Sequence, residues 1–507
     1  MKKITLAVML LLTLHCYSQP LTTTLPTVWL RADSVETGSH YWRDVTGHGH
    51  HAYPMGGQLP ILTGKMNYNP SFELDGESFR LEGFPISDNR ITAIIVYEAG
   101  DTLAECGLWS LPVKADRHIG LTTQRILGER GHIKYTDRNR TGGVINSLGQ
   151  GFKPTSGITP NQLNIGYADS LGLTGQLSEF LLFDGPVADS VLTRYISYLG
   201  IKYGVTLYRT DYLDSEGEMI WNYTDYPDYS HIIGGIGRDE ALGLNQKQSV
   251  LMDGKVRVGL ERLAADNSSN EGHLEEGDYL LWGFDSAGLM QSRTILTEEG
   301  EELQIYGEGL LQSHGIGTHI LNTFMEVDGS GWAGEARDYA LVIDRSGTGT
   351  YPPGASEIYY ADYVDSSRML YFTGLHWDID RNGIDRFSFA YLPLPASASE
   401  EGVHKRGSLN HNNSEDNAVS GHDGPAGPNQ YLLYPNPNWG DFRLEVHYDV
   451  PSEVSVRIYN AEGKLMESFS GSTGHEHRFE GRVPVKGHYL IDITGGGEQK
   501  SFKMIVQ

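Results

Sequence analysis

Tyr434-Pro435-Asn436-Pro437-Asn438-Trp439-Gly440 opens a stretch that runs to Ser501-Phe502-Lys503-Met504-Ile505-Val506-Gln507, and this stretch decides the fold class. Between those ends, apolar and polar residues alternate in short runs: Phe442, Leu444, Val446; Val454, Val456, Ile458; Tyr489, Ile491, Ile493; and Phe502, Met504, Val506. A period of two puts alternate side chains on one face of an extended chain, so each run predicts a half-buried strand. Asn460-Ala461-Glu462-Gly463-Lys464 supplies a turn, with Gly463 free to take positive φ. The expectation over residues 431–507 is a small antiparallel β-sandwich.

The same signals recur upstream. With 62 Gly, 29 Tyr and many short alternating runs, the chain reads as all-β. Residues 91–97 (ITAIIVY) form a nearly continuous apolar run, as expected of a strand buried on both faces. Further strands are predicted over 161–167, 175–184, 256–260, 279–283, 339–343, 369–375 and 387–391. One helix stands out. Pro186 can occupy its first position, Gly204 follows its end, and Val191, Leu192, Tyr195, Ile196 and Leu199 make one apolar stripe. Residues 395–430 are rich in Ser, Asn, Gly, Glu and His and hold almost no large apolar residues, which is the composition of a linker.

Composition narrows the function classes. A formal charge of −26 repels nucleic acid and anionic lipid. Lys2-Lys3 followed by apolar residues 4–14 reads as a signal peptide over 1–18, too short to span a bilayer. Of the 2 cysteines, Cys16 falls inside that leader, so Cys106 alone would remain and no disulfide or cysteine metal site is expected. No membrane span is expected in the mature chain. GxSxG, HExxH and a paired-carboxylate strand are all missing from the sequence, so a non-enzymatic protein is expected.

The C-terminal stretch resembles the sorting domain of proteins exported by the type IX secretion system of Bacteroidetes. Pro435, Asn436, Pro437 and Gly440 at its start, Gly463-Lys464 in the turn, Gly487 and Tyr489, and Lys503 near the end carry the resemblance. It implies an Ig-like sandwich, export through the periplasm to the cell surface or medium, and the type IX machinery as partner. Residues 25–207 resemble a concanavalin A-like, laminin-G-like jelly roll. The carriers are Trp29-Leu30-Arg31-Ala32-Asp33, Trp42-Arg43-Asp44-Val45-Thr46-Gly47 and Tyr198-Leu199-Gly200-Ile201-Lys202-Tyr203-Gly204. Residues 208–394, with Gly235-Ile236-Gly237-Arg238-Asp239 and Leu244-Asn245-Gln246-Lys247-Gln248-Ser249, resemble an uncharacterised β-rich, sandwich-like module that accompanies such jelly rolls.

Three groups of residues are candidates for chemistry. Asp378, Asp380, Asn382 and Asp385 alternate oxygen-bearing side chains around Gly383, a pattern that fits either a Ca²⁺ loop or an Asx-rich hairpin turn. Phe389 stands where an EF-hand would need its bidentate Glu. Trp109, Trp332 and Trp377 flank loops and read either as sugar-stacking platforms or as core packing. His48, His50 and His51 lie in a Gly-rich loop, where solvated histidines are favoured over a metal site. The combined expectation is a secreted or cell-surface protein that binds a glycan or matrix ligand without catalysis. A structural surface component is the alternative, and a divergent polysaccharide-cleaving enzyme comes third.

Overall fold

The computed structural model describes residues 24–87, 89–114, 117–128, 131–134, 143–153, 162–251, 254–285, 289, 291–297, 300–332, 336–352, 356–393, 430–434, 441–460, 464–483, 485 and 487–506. The expected signal peptide, nearly all of the linker, and Pro435, Asn436, Pro437, Gly440 and Gly463 lie outside these residues.

The 91–97 run sits in strand Arg90–Ala99, near the centre of the first module. One antiparallel sheet runs Val144–Gly151, Arg90–Ala99, Thr174–Asp184, Asn69–Asp75, Ile61–Met66, with Val28–Arg31 also paired to Thr174–Asp184. The second runs Gly131–Lys134, Arg125–Gly128, Arg117–Thr122, Gly107–Lys114, Gln162–Ile165, Phe79–Glu82, Ala52–Pro54. The alternation within ITAIIVY explains how the sheets stack. Ile91, Ala93, Ile95 and Tyr97 enter the core between the two sheets, and Ile94 and Val96 enter a different core on the opposite face.

That opposite face is covered by the helix Asp189–Tyr203. It starts after Ala188 rather than at Pro186, whose ring lies in the connecting segment, and it ends on Gly204 in the left-handed region at φ 66. Val191, Tyr195 and Leu199 of the expected stripe are buried, but so are Arg194, Tyr198, Ile201, Lys202 and Tyr203. The helix is enclosed because it has a neighbour on each side. A single core cluster joins Trp29, Ile94 and Leu181 of the first module through Tyr195, Tyr198 and Leu199 to Ile233, Leu281 and Leu310 of the second.

The second module has a large sheet in the order Leu244–Gln246, Ile232–Asp239, Tyr279–Phe284, Glu302–His314, Ile384–Pro393, Ala336–Asp344, Ser356–Tyr360. It faces a smaller sheet, Gln248–Leu251, Val256–Leu260, Thr323–Asp328, Met369–Leu375, Tyr363–Val364. Side chains from both sheets share one core. The Gly-rich strand is a close-packing device, as a Cβ on Gly235 would lie 2.2 Å from the Leu280 carbonyl oxygen.

The three tryptophans expected as sugar platforms are core residues instead. Trp109, Trp332 and Trp377 are only 0, 4 and 0% exposed. Trp109 is held mid-strand in the first core, Trp332 stacks on Tyr306 at 4.9 Å, and Trp377 meets Trp282 edge-on at 5.7 Å. Strands distant in the chain supply the partners that enclose these rings, so none offers a free face to a sugar.

In the C-terminal region, long strands Asp441–Asn460 and Leu465–Arg482 pair along their length, and Gly487–Gly495 and Glu498–Val506 complete the sheet with Gln430–Tyr434. Register shifts between His447 and Ser452 interrupt the long pair. Phe442, Leu444, Val446, Val454, Val456, Ile458, Tyr489, Ile491, Ile493, Met504 and Val506 share one core, as their alternation demands. The turn is tied by Lys464 N–H donating to Asn460 Oδ1 at 2.9 Å.

Because backbone stands against Gly235, Gly235→Ala is expected to destabilise the second module by about 2 kcal/mol or more, read as a shift in denaturant midpoint at unchanged slope.

Candidate functional site

The strand Thr174–Asp184 carries a glutamate in the middle of its apolar run, and Glu179 is completely buried. A buried carboxylate is tolerated only when its oxygens are matched by donors. Here Trp29 Nε1 donates to Oε1 at 2.5 Å, Tyr203 OH to Oε2 at 2.7 Å, and Lys202 Nζ to Oε2 at 2.9 Å. Tyr198 OH also donates to Oε1 at 3.0 Å. Lys202 bridges onward to Asp33 Oδ2 at 2.8 Å. Arg31 donates to Asp33 through Nε and Nη2, both at 3.0 Å, and Nη2 also reaches the Gly243 carbonyl of the second module at 3.2 Å.

The motifs Trp29-Leu30-Arg31-Ala32-Asp33 and Tyr198–Gly204 are therefore two halves of one buried network, with Glu179 as the link. Trp42-Arg43-Asp44-Val45-Thr46-Gly47 fastens it from behind. Asp44 Oδ1 accepts from Trp29 N–H at 3.0 Å and from Thr46 N–H at 3.1 Å.

Burial works against the Asp33 carboxylate, yet Lys202 and Arg31 outweigh it and hold the group well below the usual carboxylate range. Burial alone would lower Lys202, but Asp33 and Glu179 hold it above its ordinary value. Burial, reinforced by Glu179, keeps the Tyr203 phenol protonated as a donor.

A second tie crosses the same seam. Asn67 and Tyr68 form the two-residue tip of the hairpin between Ile61–Met66 and Asn69–Asp75, with φ of 47 and 66. Both central residues in the left-handed region make a type I′-like turn. Asn67 Nδ2 donates to the Ile201 carbonyl at the helix end (3.1 Å), while its Oδ1 accepts from Val250 N–H at 2.7 Å. Asn69 Nδ2 donates to the Lys202 carbonyl at 2.7 Å and to Gln246 Oε1 at 3.0 Å.

Between these ties lies a cleft of about 330 Å³, lined by Arg31, Asp33, Asn69, Lys202, Gly243, Asn245, Gln246, Lys247, Asn267 and Ser268. Its lining is polar, which suits recognition of hydroxyl-bearing or charged groups rather than apolar ones. The sequence reading missed it, although three of its motifs supply part of the wall. The available signal was Glu179 itself, an ionisable residue at an inward position of an apolar strand.

The Asp378–Asp385 group forms a hydrogen-bonded turn tied to Arg345, with Asp385 Oδ1 buried and unpartnered among the described residues. Asp378 Oδ1 accepts from Gly383 N–H at 2.8 Å, and Asp385 Oδ2 accepts from Asp378 N–H at 2.6 Å and from Arg345 Nη1 at 2.8 Å. Asn382 Nδ2 donates to Asp380 Oδ2 at 2.8 Å. Burial pushes the Asp385 carboxyl up to about 6, against the pull of Arg345. The four expected ligands are thus turned onto amide, guanidinium and backbone donors. Among the described residues no group of three or more His, Cys, Asp or Glu is placed to hold a metal ion. In the His-rich loop, His51 Nδ1 accepts from Asp44 N–H at 3.1 Å and His48 Nδ1 lies 3.1 Å from the Thr27 carbonyl, so both rings serve the loop.

Comparison with known proteins adds two family matches. Residues 432–507 match the secretion system C-terminal sorting domain, which marks the chain as type IX secretion cargo bound for the cell surface or medium. Residues 192–371 match a domain of unknown function, DUF8202. That match begins inside the helix shared by the two modules. No curated protein matches this chain.

Among solved structures, domain 4 of an extracellular arabinanase from Geobacillus stearothermophilus, in complex with arabinotriose, is 13% identical. It covers 33% of this chain and 96% of its own, with a TM-score of 0.24. A botulinum neurotoxin serotype D binding domain is 9% identical over 72% of this chain and 97% of its own, with a TM-score of 0.25. A β-glucuronidase from Parabacteroides merdae is 11% identical over 36% of this chain and 26% of its own, with a TM-score of 0.12. Likenesses this distant carry no argument about function. No helix among the described residues is long and apolar enough to cross a membrane.

Lys202→Met would leave Glu179 buried without its cation, so a loss of roughly 3–5 kcal/mol in unfolding free energy is expected, measured by chemical denaturation. The depressed Asp33 pKa makes its contribution complete above its unfolded value of about 3.9 and lost as pH falls through the native value. The raised Lys202 pKa makes its contribution complete below about 10.4 and lost at higher pH. A pH series of melting curves should therefore show wild type losing its advantage over the variant at both extremes. For the turn, Asp380→Ala is expected to shift the melting temperature equally with calcium and with chelator.

Proposed function

We propose that this chain is a non-enzymatic binding protein, displayed at the cell surface or secreted, whose two upstream modules hold a glycan or matrix ligand while the C-terminal domain directs export. The first module, two antiparallel sheets around one core, is read as a concanavalin A-like jelly roll, and the sorting domain as an Ig-like sandwich. The observation that carries the binding reading is the polar cleft at the seam, lined by amide, hydroxyl and cationic side chains and braced on both sides by interdomain hydrogen bonds. A braced cleft loses little conformational entropy on binding, which favours recognition of a small polar ligand.

Two experiments test the proposal. The full chain recovered after export is expected to bind a subset of a glycan and matrix-protein array, equally with calcium and with chelator. Absence of binding to every glycan and matrix protein would move the chain to the structural reading, a surface component without a small ligand. Release of reducing ends from a polysaccharide panel would instead revive the enzyme. Deleting residues 431–507 is expected to leave the protein in the periplasm, and surface display of the truncated chain would sink the sorting role.

A further inference from the structure

We infer that the seam cleft is an anion-selective sugar site that takes a single uronate residue, its carboxylate held by Arg31 and Lys247 and a ring hydroxyl by Asn245. This rests on the glycan-binding reading above and names its ligand class.

Several donors of the cleft are already engaged. Lys202 directs its hydrogens to Asp33, Glu179 and Tyr198. Arg31 engages Asp33 and Gly243 through Nε and Nη2, and among the described residues its Nη1 meets no partner. Lys247 Nζ donates to the Asn270 carbonyl, which uses one of its three hydrogens. The Asn245 side chain is exposed on the cleft wall and also has no partner among the described residues. The acceptors of the lining are largely engaged in turn: Asp33 by Arg31 and Lys202, Asn267 Oδ1 by Lys247 N–H, and Gln246 Oε1 by Asn69.

The unengaged groups are therefore mostly donors, and two of them are cationic. Arg31, Lys202 and Lys247 are set against the carboxylates of Asp33 and Glu179. The acidic neighbours Asp266 and Glu271 lie beside other cations, Lys65 at 3.9 Å and Arg262 at 3.7 Å, and Glu271 also acts on Lys247 from an exposed position. The cleft thus keeps a positive surplus within a chain of net charge −26. A guanidinium and an ammonium with free N–H groups suit a carboxylate, and a volume of about 330 Å³ lies at the small end of ligand sites, enough for one ring. The acidic remainder of the surface repels a polyanion, so the fit is to a uronate on an otherwise neutral glycan.

The test titrates the full chain with D-glucuronate, D-glucose, polygalacturonate and inorganic phosphate by calorimetry, for wild type, Lys247→Gln and Asn245→Asp. Asn245→Asp places a negative charge on the wall without removing a packing contact, and an unchanged melting temperature checks that it folds. The expected result is saturable glucuronate binding, at least tenfold weaker for glucose and phosphate, with polygalacturonate no tighter than the monomer. Both variants should weaken glucuronate at least tenfold. Equal affinity for glucose and glucuronate would overturn the anion assignment, and equal affinity for phosphate would overturn the sugar class. Glucuronate binding that both variants leave unchanged would overturn the location while leaving the glycan-binding function standing. No binding of any sugar here or on the array would remove both.

Discussion

A carboxylate with no access to water organises the upstream part of this protein. Glu179 lies within an apolar strand, and its desolvation is offset only because Trp29, Tyr198, Lys202 and Tyr203 converge on its two oxygens. Those donors come from the first strand and from the helix, so satisfying one group fixes the position of both against the sheet. The same ammonium then holds Asp33, and Asp33 holds Arg31, whose guanidinium reaches the second module. Geometry set at a single buried oxygen pair propagates across the seam.

The seam also carries backbone strain. Asn67 and Tyr68 both adopt left-handed φ values, a conformation that costs of order 1 kcal/mol or more for a bulky residue and persists only where the surroundings over-determine it. The surroundings do so here. The Asn67 side chain caps the end of the shared helix on one side and receives a strand amide of the second module on the other, and Tyr68 O accepts from Asn267 N–H at 2.9 Å. The helix core, the ionic network and the hairpin tip make the two upstream modules one mechanical unit, which is why a cleft between them has definite walls. The C-terminal domain has its own core, as an export element should if it is to be read independently of its cargo.

Some functional signals were legible in one dimension and others misled. In the Gly-rich strand the glycines matter because two backbones meet there, as the Leu280 carbonyl against Gly235 shows. The tryptophans misled because proximity to a loop in sequence does not set exposure. Trp109, Trp332 and Trp377 are enclosed by strands that lie far away along the chain. The Asp378–Asp385 spacing suits both a cation loop and a turn, and only the directions of the side chains distinguish them. They point at the loop's own amides and at Arg345, which is 33 positions upstream of Asp378 in the chain.

By itself, the sequence determined the all-β class, the positions of some strands such as Arg90–Ala99 and Thr174–Asp184, the helix with its glycine terminator, and the sorting domain. All of these rest on local periodicity or on residues close together in the chain. An apolar side chain at every second position has one way to be buried, so Phe442, Val456 and Ile491 could be assigned to a core before any partner was known. The tertiary structure alone decided that ITAIIVY divides between two different cores, that Glu179 is the hub of a network, and that Arg31, Lys202, Asn245 and Lys247 share one cleft. Those residues meet only when two sandwiches close on a common helix. The pairing energy that selects that arrangement acts between segments with no pattern in common, so no local period records it.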